Sequence, residues 1–171
     1  MIIRCVSIYI SIDLRPNSSF NTINILLFDL DGTLYDVNCG YVEHQRQNNF
    51  RFLYDKGFVP RDKSAEAVWK PLFKKYNQTK CGLKAAGFKF DDEEYWESIR
   101  SGMETYLKPD LVLRNVLLSL SQPKYVFTNC NETQAQFALE RLGIADCFDG
   151  IFGATLWVTI VSPTYSCFRK Y

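Results

Sequence analysis

Residues 23–28, INILLF, form a short and nearly continuous apolar run, β-branched at its start, that ends in Asp-Leu-Asp-Gly-Thr. This pattern predicts a parallel strand buried on both faces, closed by a turn. From residue 41 to 107 the pattern changes to charged and aromatic residues at helical spacing. Phe50, Leu53 and Tyr54 fall on one face of a first predicted helix. Val68, Leu72, Phe73 and Tyr76 fall on one face of a second, and Tyr95, Ile99 and Met103 on one face of a third. Gly57, Pro60, Gly82, Gly87 and Pro109 are read as punctuation, and Asp91 or Asp92 as the cap of the helix that Glu93 and Glu94 open.

Beyond Pro109, residues 111–120 are apolar and helical in length, 121–124 read as a turn, and Tyr125-Val126-Phe127 as a strand with Thr128 at its carboxyl end. A helix over about 132–142 carries a stripe of Ala135, Ala138, Leu139 and Leu142, with Gly143 placed to stop it. Ile151 and Phe152 can start a third strand. Strand, helix, strand, helix, strand predicts an α/β fold: the beginning of a doubly wound, Rossmann-like parallel sheet with a helical insert after the first strand. Ligands on such sheets sit at the carboxyl ends of strands, and Asp29 and Thr128 both fall at such ends.

Composition narrows the function classes. The 171 residues carry 20 Lys and Arg against 19 Asp and Glu, a formal net charge of +1. There is neither a basic field for nucleic acid nor an acidic tail. No apolar stretch reaches the ~18 residues of a membrane span. The first twelve residues are apolar, but Arg4 interrupts them and no small-residue cleavage site follows. The six cysteines show no CxxC pair or metal-ligand spacing. Reduced thiols and a cytoplasmic location are expected.

Asp29 and Asp31 lie two apart where an extended strand gives way to a turn, so both carboxylates can face one crevice. One carboxylate can attack phosphorus to form an aspartyl phosphate, while the other protonates the leaving oxygen and then activates the hydrolytic water. A hard divalent cation, Mg²⁺, would remove the repulsion between an anionic nucleophile and an anionic phosphate. Gly32 lets the turn bring backbone N–H groups toward phosphate oxygens. An Asp-x-Asp-Gly turn also serves as a plain capped turn or a partial calcium loop. Thr128 alone would be an ordinary strand-end hydroxyl. His44 reads as a surface helix residue, Cys130 as an unreactive thiol, Lys74 and Lys75 as a solvated face, and Trp69, Tyr76, Tyr95 and Trp96 as packing.

The stretch FDLDGTLYD at 28–36 resembles the first signature of the haloacid dehalogenase-like (HAD) phosphohydrolase superfamily. The resemblance implies that Asp29 is nucleophile and metal ligand, and that Asp31 is the acid/base whose backbone carbonyl also reaches Mg²⁺. The second aspartate favours phosphatases over dehalogenases. VFTN at 126–129 resembles the second signature, in which Thr128 binds the transferring phosphoryl group and Asn129 lines the pocket. YNQTKCGLKAAGFKF at 76–90, LKPDLVLRNVLLSL at 107–120 and LGIADCFDGI at 142–151 are similar to the pyrimidine 5′-nucleotidase branch. A small phosphorylated substrate, a nucleoside 5′-monophosphate, is the partner this implies.

The implied organisation is an N-terminal extension at 1–22, a core at 23–36 and 108–155, a helical cap at 37–107 and an atypical tail at 156–171. The superfamily's later lysine and acidic motifs are not recognisable, and the tail has no acidic residue. An incomplete core is therefore expected. Whether this chain turns over substrate stays open against a non-catalytic binding or regulatory product, or an unstable fragment. With no fourth strand, the first is expected at a sheet edge that residues 2–12 could cover, while 156–161 could form a hairpin on the third strand.

Overall fold

The computed structural model describes residues 25–155. The expectations for residues 2–12 and 156–161 lie outside that span. Three strands, β1 (Leu26–Phe28), β2 (Lys124–Phe127) and β3 (Gly150–Phe152), pair in parallel in the order β1-β2-β3. Parallel neighbours need crossover connections. The first crossover holds the helices α1 (Tyr41–Asp55), α2 (Ala65–Tyr76), α3 (Thr79–Ala85), α4 (Asp92–Arg100), α5 (Met103–Tyr106) and α6 (Leu111–Ser119). The second holds α7 (Glu132–Leu142). The fold class is the expected one, a Rossmann-like parallel α/β sheet with a helical insert, α1 to α5, after its first strand.

Local chemistry explains the boundaries. Asp110 caps α6 by accepting from the N–H groups of Val112 and Leu113, both at 2.9 Å. Asp91 caps α4 through the N–H of Glu94 at 2.9 Å, and left-handed Gly143 ends α7. These contacts occupy backbone donors and acceptors that helix ends leave without partners.

Two apolar clusters divide the molecule. The first joins Val126 of β2 to Leu30 and Leu34 of the loop after β1, Leu117 of α6, and Ala135, Ala138, Leu139 and Leu142 of α7. The α7 stripe is the one its periodicity predicted. The second belongs to the insert: Phe52 and Leu53 of α1, Leu83 of α3, and Tyr95, Trp96 and Ile99 of α4. It also takes in Cys130 and Ala154, from the segments that follow β2 and β3, so the insert rests on the carboxyl ends of the strands. Phe52 meets Tyr95 and Phe90 edge-on at 5.3 and 5.4 Å. Such pairs add about 0.5–1.5 kcal/mol each beyond their burial. Tyr95 and Trp96 are buried in this cluster and Trp69 packs against it, the packing role expected of these three.

Several expectations are corrected. Gly82 does not interrupt the chain; it is buried inside α3, a helix the pattern did not reveal. A Cβ there would lie 3.0 Å from the Leu72 Cβ, so glycine permits close approach of α2 and α3. The third predicted helix breaks at Ser101 and left-handed Gly102, which puts Met103 on α5. A Cβ on Gly102 would meet His44 Nε2 at 2.6 Å, and His44 is half-buried against Tyr106, with ring centroids 4.9 Å apart. β1 is short and half-buried, with Ile25 outside it and exposed. It is an edge strand among the described residues, as expected. Cys39, Cys130 and Cys147 are free thiols, whereas Cys81 is disulfide-bonded. No helix among the described residues is long and apolar enough to cross a membrane.

Candidate functional site

The loop after β1 is anchored by its apolar members. Leu30 is fully buried and Leu34 nearly so, and the Thr33 and Leu34 N–H groups both donate to the Leu30 carbonyl, at 3.3 and 3.1 Å. Asp29 and Asp31 flank Leu30 in the chain, and the Leu30 N–H donates to Asp29 Oδ1 at 2.8 Å. Gly32 follows with φ +76°, and a Cβ there would come within 2.7 Å of the Val37 side chain. The turn therefore requires glycine on both counts.

Thr128 and Asn129 leave the adjacent strand. Phe28 is in register with Val126, so Asp29 stands opposite Phe127 and next to Thr128, on strands ~4.8 Å apart. Thr128 is buried. Its N–H donates to the Phe152 carbonyl at 2.9 Å, and its Oγ1 accepts from the Cys130 N–H at 3.1 Å. α7 begins just beyond, so a helix N-terminus faces the same end of the sheet, a setting that suits an anion. All four residues singled out from the sequence thus gather at the carboxyl end of β1 and β2. Burial pushes the Cys130 thiol up to about 12, so it stays a thiol beside this crevice.

Four side chains at the site were not anticipated. Arg100, the last residue of α4, is 3% exposed and donates from Nη1 to both Asp31 oxygens, at 2.8 and 3.0 Å. The Tyr35 hydroxyl also donates to Asp31 Oδ1. Burial first, then the Asp31 carboxylate, holds the Tyr35 hydroxyl well above its ordinary value, so it remains a neutral donor. The Arg100 guanidinium lies 5.5 Å from the Tyr41 ring centroid, and the Tyr41 hydroxyl donates to the Arg100 carbonyl at 2.7 Å. Gln78 donates from the insert to the Asn129 carbonyl at 2.9 Å. A signal for Arg100 existed: it falls on the stripe of Tyr95, Trp96 and Ile99, a charge where the pattern asks for an apolar residue.

The donors fit Mg²⁺ in kind but not as a cage. Asp29 and the carbonyls of its loop offer hard oxygen ligands, and Mg²⁺ is usually bound by one or two carboxylates, phosphate oxygens and retained waters. Among the described residues no group of three His, Cys, Asp or Glu is placed to hold a metal ion. Both Asp31 carboxylate oxygens already face Arg100.

No family model matches the chain. It is 32% identical over 139 residues to phosphate metabolism protein 8 of Saccharomyces cerevisiae, a match covering 74% of this chain and 42% of the yeast protein. The chain thus spans less than half the length of that relative. Among solved structures, the putative HAD-hydrolase YfnB from Bacillus subtilis, described as bound to magnesium, aligns with a TM-score of 0.45 and 20% identity, over 77% of this chain and 65% of YfnB.

Proposed function

We propose that the chain is a HAD-like phosphohydrolase acting on a phosphomonoester, with the core at 23–36 and 108–155 and the cap at 37–107. The observation that carries this reading is the convergence of Asp29, Asp31, Thr128 and Asn129 at the carboxyl ends of two paired parallel strands. In the proposed reaction an Asp29 oxygen bonds to phosphorus as the ester P–O bond breaks, and the leaving oxygen takes a proton from Asp31. Asp31 then accepts a proton from water, whose oxygen attacks phosphorus and releases Asp29 and inorganic phosphate. Thr128 and Asn129 hold the phosphoryl group. Mg²⁺, held by the Asp29 carboxylate and the Asp31 carbonyl, would offset the repulsion between carboxylate and phosphate.

The name of the yeast relative refers to phosphate metabolism, which accords with this reading. A nucleoside 5′-monophosphate is the substrate class we propose, on the three stretches similar to pyrimidine 5′-nucleotidases. A second reading, a phosphate-binding module without turnover, draws on the engagement of Asp31 by Arg100. One assay separates them: release of inorganic phosphate from p-nitrophenyl phosphate and uridine 5′-monophosphate, with and without Mg²⁺, by the chain and by Asp29→Asn. Mg²⁺-dependent turnover lost in Asp29→Asn supports the enzyme. Turnover that survives Asp29→Asn refutes the nucleophile.

A further inference from the structure

Arg100 uses one edge of its guanidinium and leaves the other idle. Nη1 serves both Asp31 oxygens, whereas Nε and Nη2 are buried and have no hydrogen-bond partner among the described residues. Buried polar groups are nearly always satisfied, and an exception at a crevice calls for a ligand or a strained state. The idle nitrogens are a specific pair. Together Nε and Nη2 form the side-on fork of the guanidinium, two parallel N–H donors that match two oxygens of a carboxylate or phosphate.

Their place is also specific. The guanidinium carbon is bonded to both Nη1 and Nη2, so the fork lies within one side chain's width of the Asp31 carboxylate, in the loop that carries Asp29. Tyr41 helps to hold the residue, its ring near the guanidinium and its hydroxyl donating to the Arg100 backbone carbonyl. Charge points the same way. Asp29 and Asp31 both stand at the crevice, and Arg100 is paired with Asp31. A phosphate dianion entering there meets a guanidinium that Asp31 engages through a single nitrogen, with the Nε and Nη2 donors still uncommitted.

We propose that Arg100 is an oxyanion-binding residue, supplied by the insert, whose Nε–Nη2 fork takes two oxygens of a phosphoryl group in the crevice. The inference rests on the reading of this crevice as a phosphate site, but not on turnover. Binding exchanges an idle buried fork for two charge-assisted hydrogen bonds, and it gives the insert a direct part in ligand recognition.

The test is binding of inorganic phosphate to the full chain, measured by isothermal titration with and without Mg²⁺, for the unaltered protein, Arg100→Gln and Arg100→Lys. Loss of two charge-assisted hydrogen bonds should weaken phosphate by roughly tenfold or more in Arg100→Gln. Arg100→Lys keeps the charge facing Asp31 but not the fork, so it should fall between the two. It also serves alone if the glutamine variant does not fold. Uridine 5′-monophosphate, titrated in parallel at Asp29→Asn to block hydrolysis, should lose a similar factor on each Arg100 substitution, since the shared group is the phosphoryl. Phosphate affinity unchanged by either Arg100 substitution, or weakening confined to the nucleotide, overturns the assignment. So does an unaltered chain that binds no phosphate. A chain that binds phosphate through Arg100 yet hydrolyses nothing overturns only the proposed reaction.

Discussion

Asp31→Asn should destabilise this protein, because it strands a cation. Arg100 is 3% exposed, and both hydrogen bonds of its Nη1 go to the Asp31 carboxylate. Removing one partner of a buried ion pair costs about 3–5 kcal/mol. Two features of this pair reduce that figure. The Asp31 side chain is 34% exposed, so water screens part of the interaction, and Asn keeps a carbonyl acceptor for Nη1. The expected loss is about 2 kcal/mol. Arg100→Met acts differently: it removes the buried charge together with two nitrogens that already lack partners, each costing about 1–3 kcal/mol where it stands. That substitution should be nearly neutral, and adding Asp31→Asn to it should cost little more. Urea unfolding followed by far-UV circular dichroism, with the four midpoints compared at a common slope, measures the cycle. The reasoning is refuted if Asp31→Asn is neutral, or if it costs as much with Met at position 100 as with Arg.

Three further outcomes follow from other parts of the molecule. Gly82→Ala should gain about 1 kcal/mol of helix propensity in α3, but its Cβ would stand 3.0 Å from the Leu72 Cβ and 3.3 Å from the Leu72 carbonyl oxygen. Overpacking costs about 1–3 kcal/mol, so a lower Tm is expected, and a higher one would show that α2 can yield. On α6, Val112 and Leu118 are 58% and 57% exposed, and replacing both with Lys should raise solubility in a precipitation assay while changing stability by no more than about 0.5 kcal/mol. Asp92 receives Lys80 at 2.9 Å and also Lys84; burial raises its carboxyl, but the two lysines outweigh burial and hold it below the ordinary value. The stability this cluster supplies is therefore present above the ordinary carboxyl pKa of about 3.9 and lost as pH falls through the lower folded value. Acid unfolding followed by tryptophan fluorescence should be less steep over that interval for Asp92→Asn.

The elements that were legible in the sequence are those whose signals are local. The α7 stripe, the α4 cap, which falls on Asp91 of the two aspartates offered, and the left-handed Gly143 act within a few residues, and each stands where the pattern placed it. The gathering of Asp29, Asp31, Thr128 and Asn129 was legible through strand order, since both pairs leave the carboxyl ends of predicted parallel strands. What escaped depends on contacts distant in sequence. α3 is seven residues long and holds a glycine, so periodicity had too few turns to register. Gly82 fits there because Leu72 presses on it from another helix. Arg100 meets Asp31 across 69 residues, and Gln78 meets Asn129 across 51. Such pairings are properties of the folded surface, not of spacing along the chain.

The insert's apolar cluster has a consequence for how this molecule can move. Cys130 and Ala154 stand beyond the strands, yet they are packed among the insert's own buried residues, and Gln78 ties the same region to the Asn129 carbonyl. A wide hinge opening would wet a thiol and a methyl that the insert now keeps dry, and would break that tether in the same motion. Sliding of the helices over the strand ends, a shear rather than a swing, keeps the apolar contact while changing the width of the gap above Asp29. Access to the crevice is thereby geared to small displacements of α4, the helix that carries Arg100.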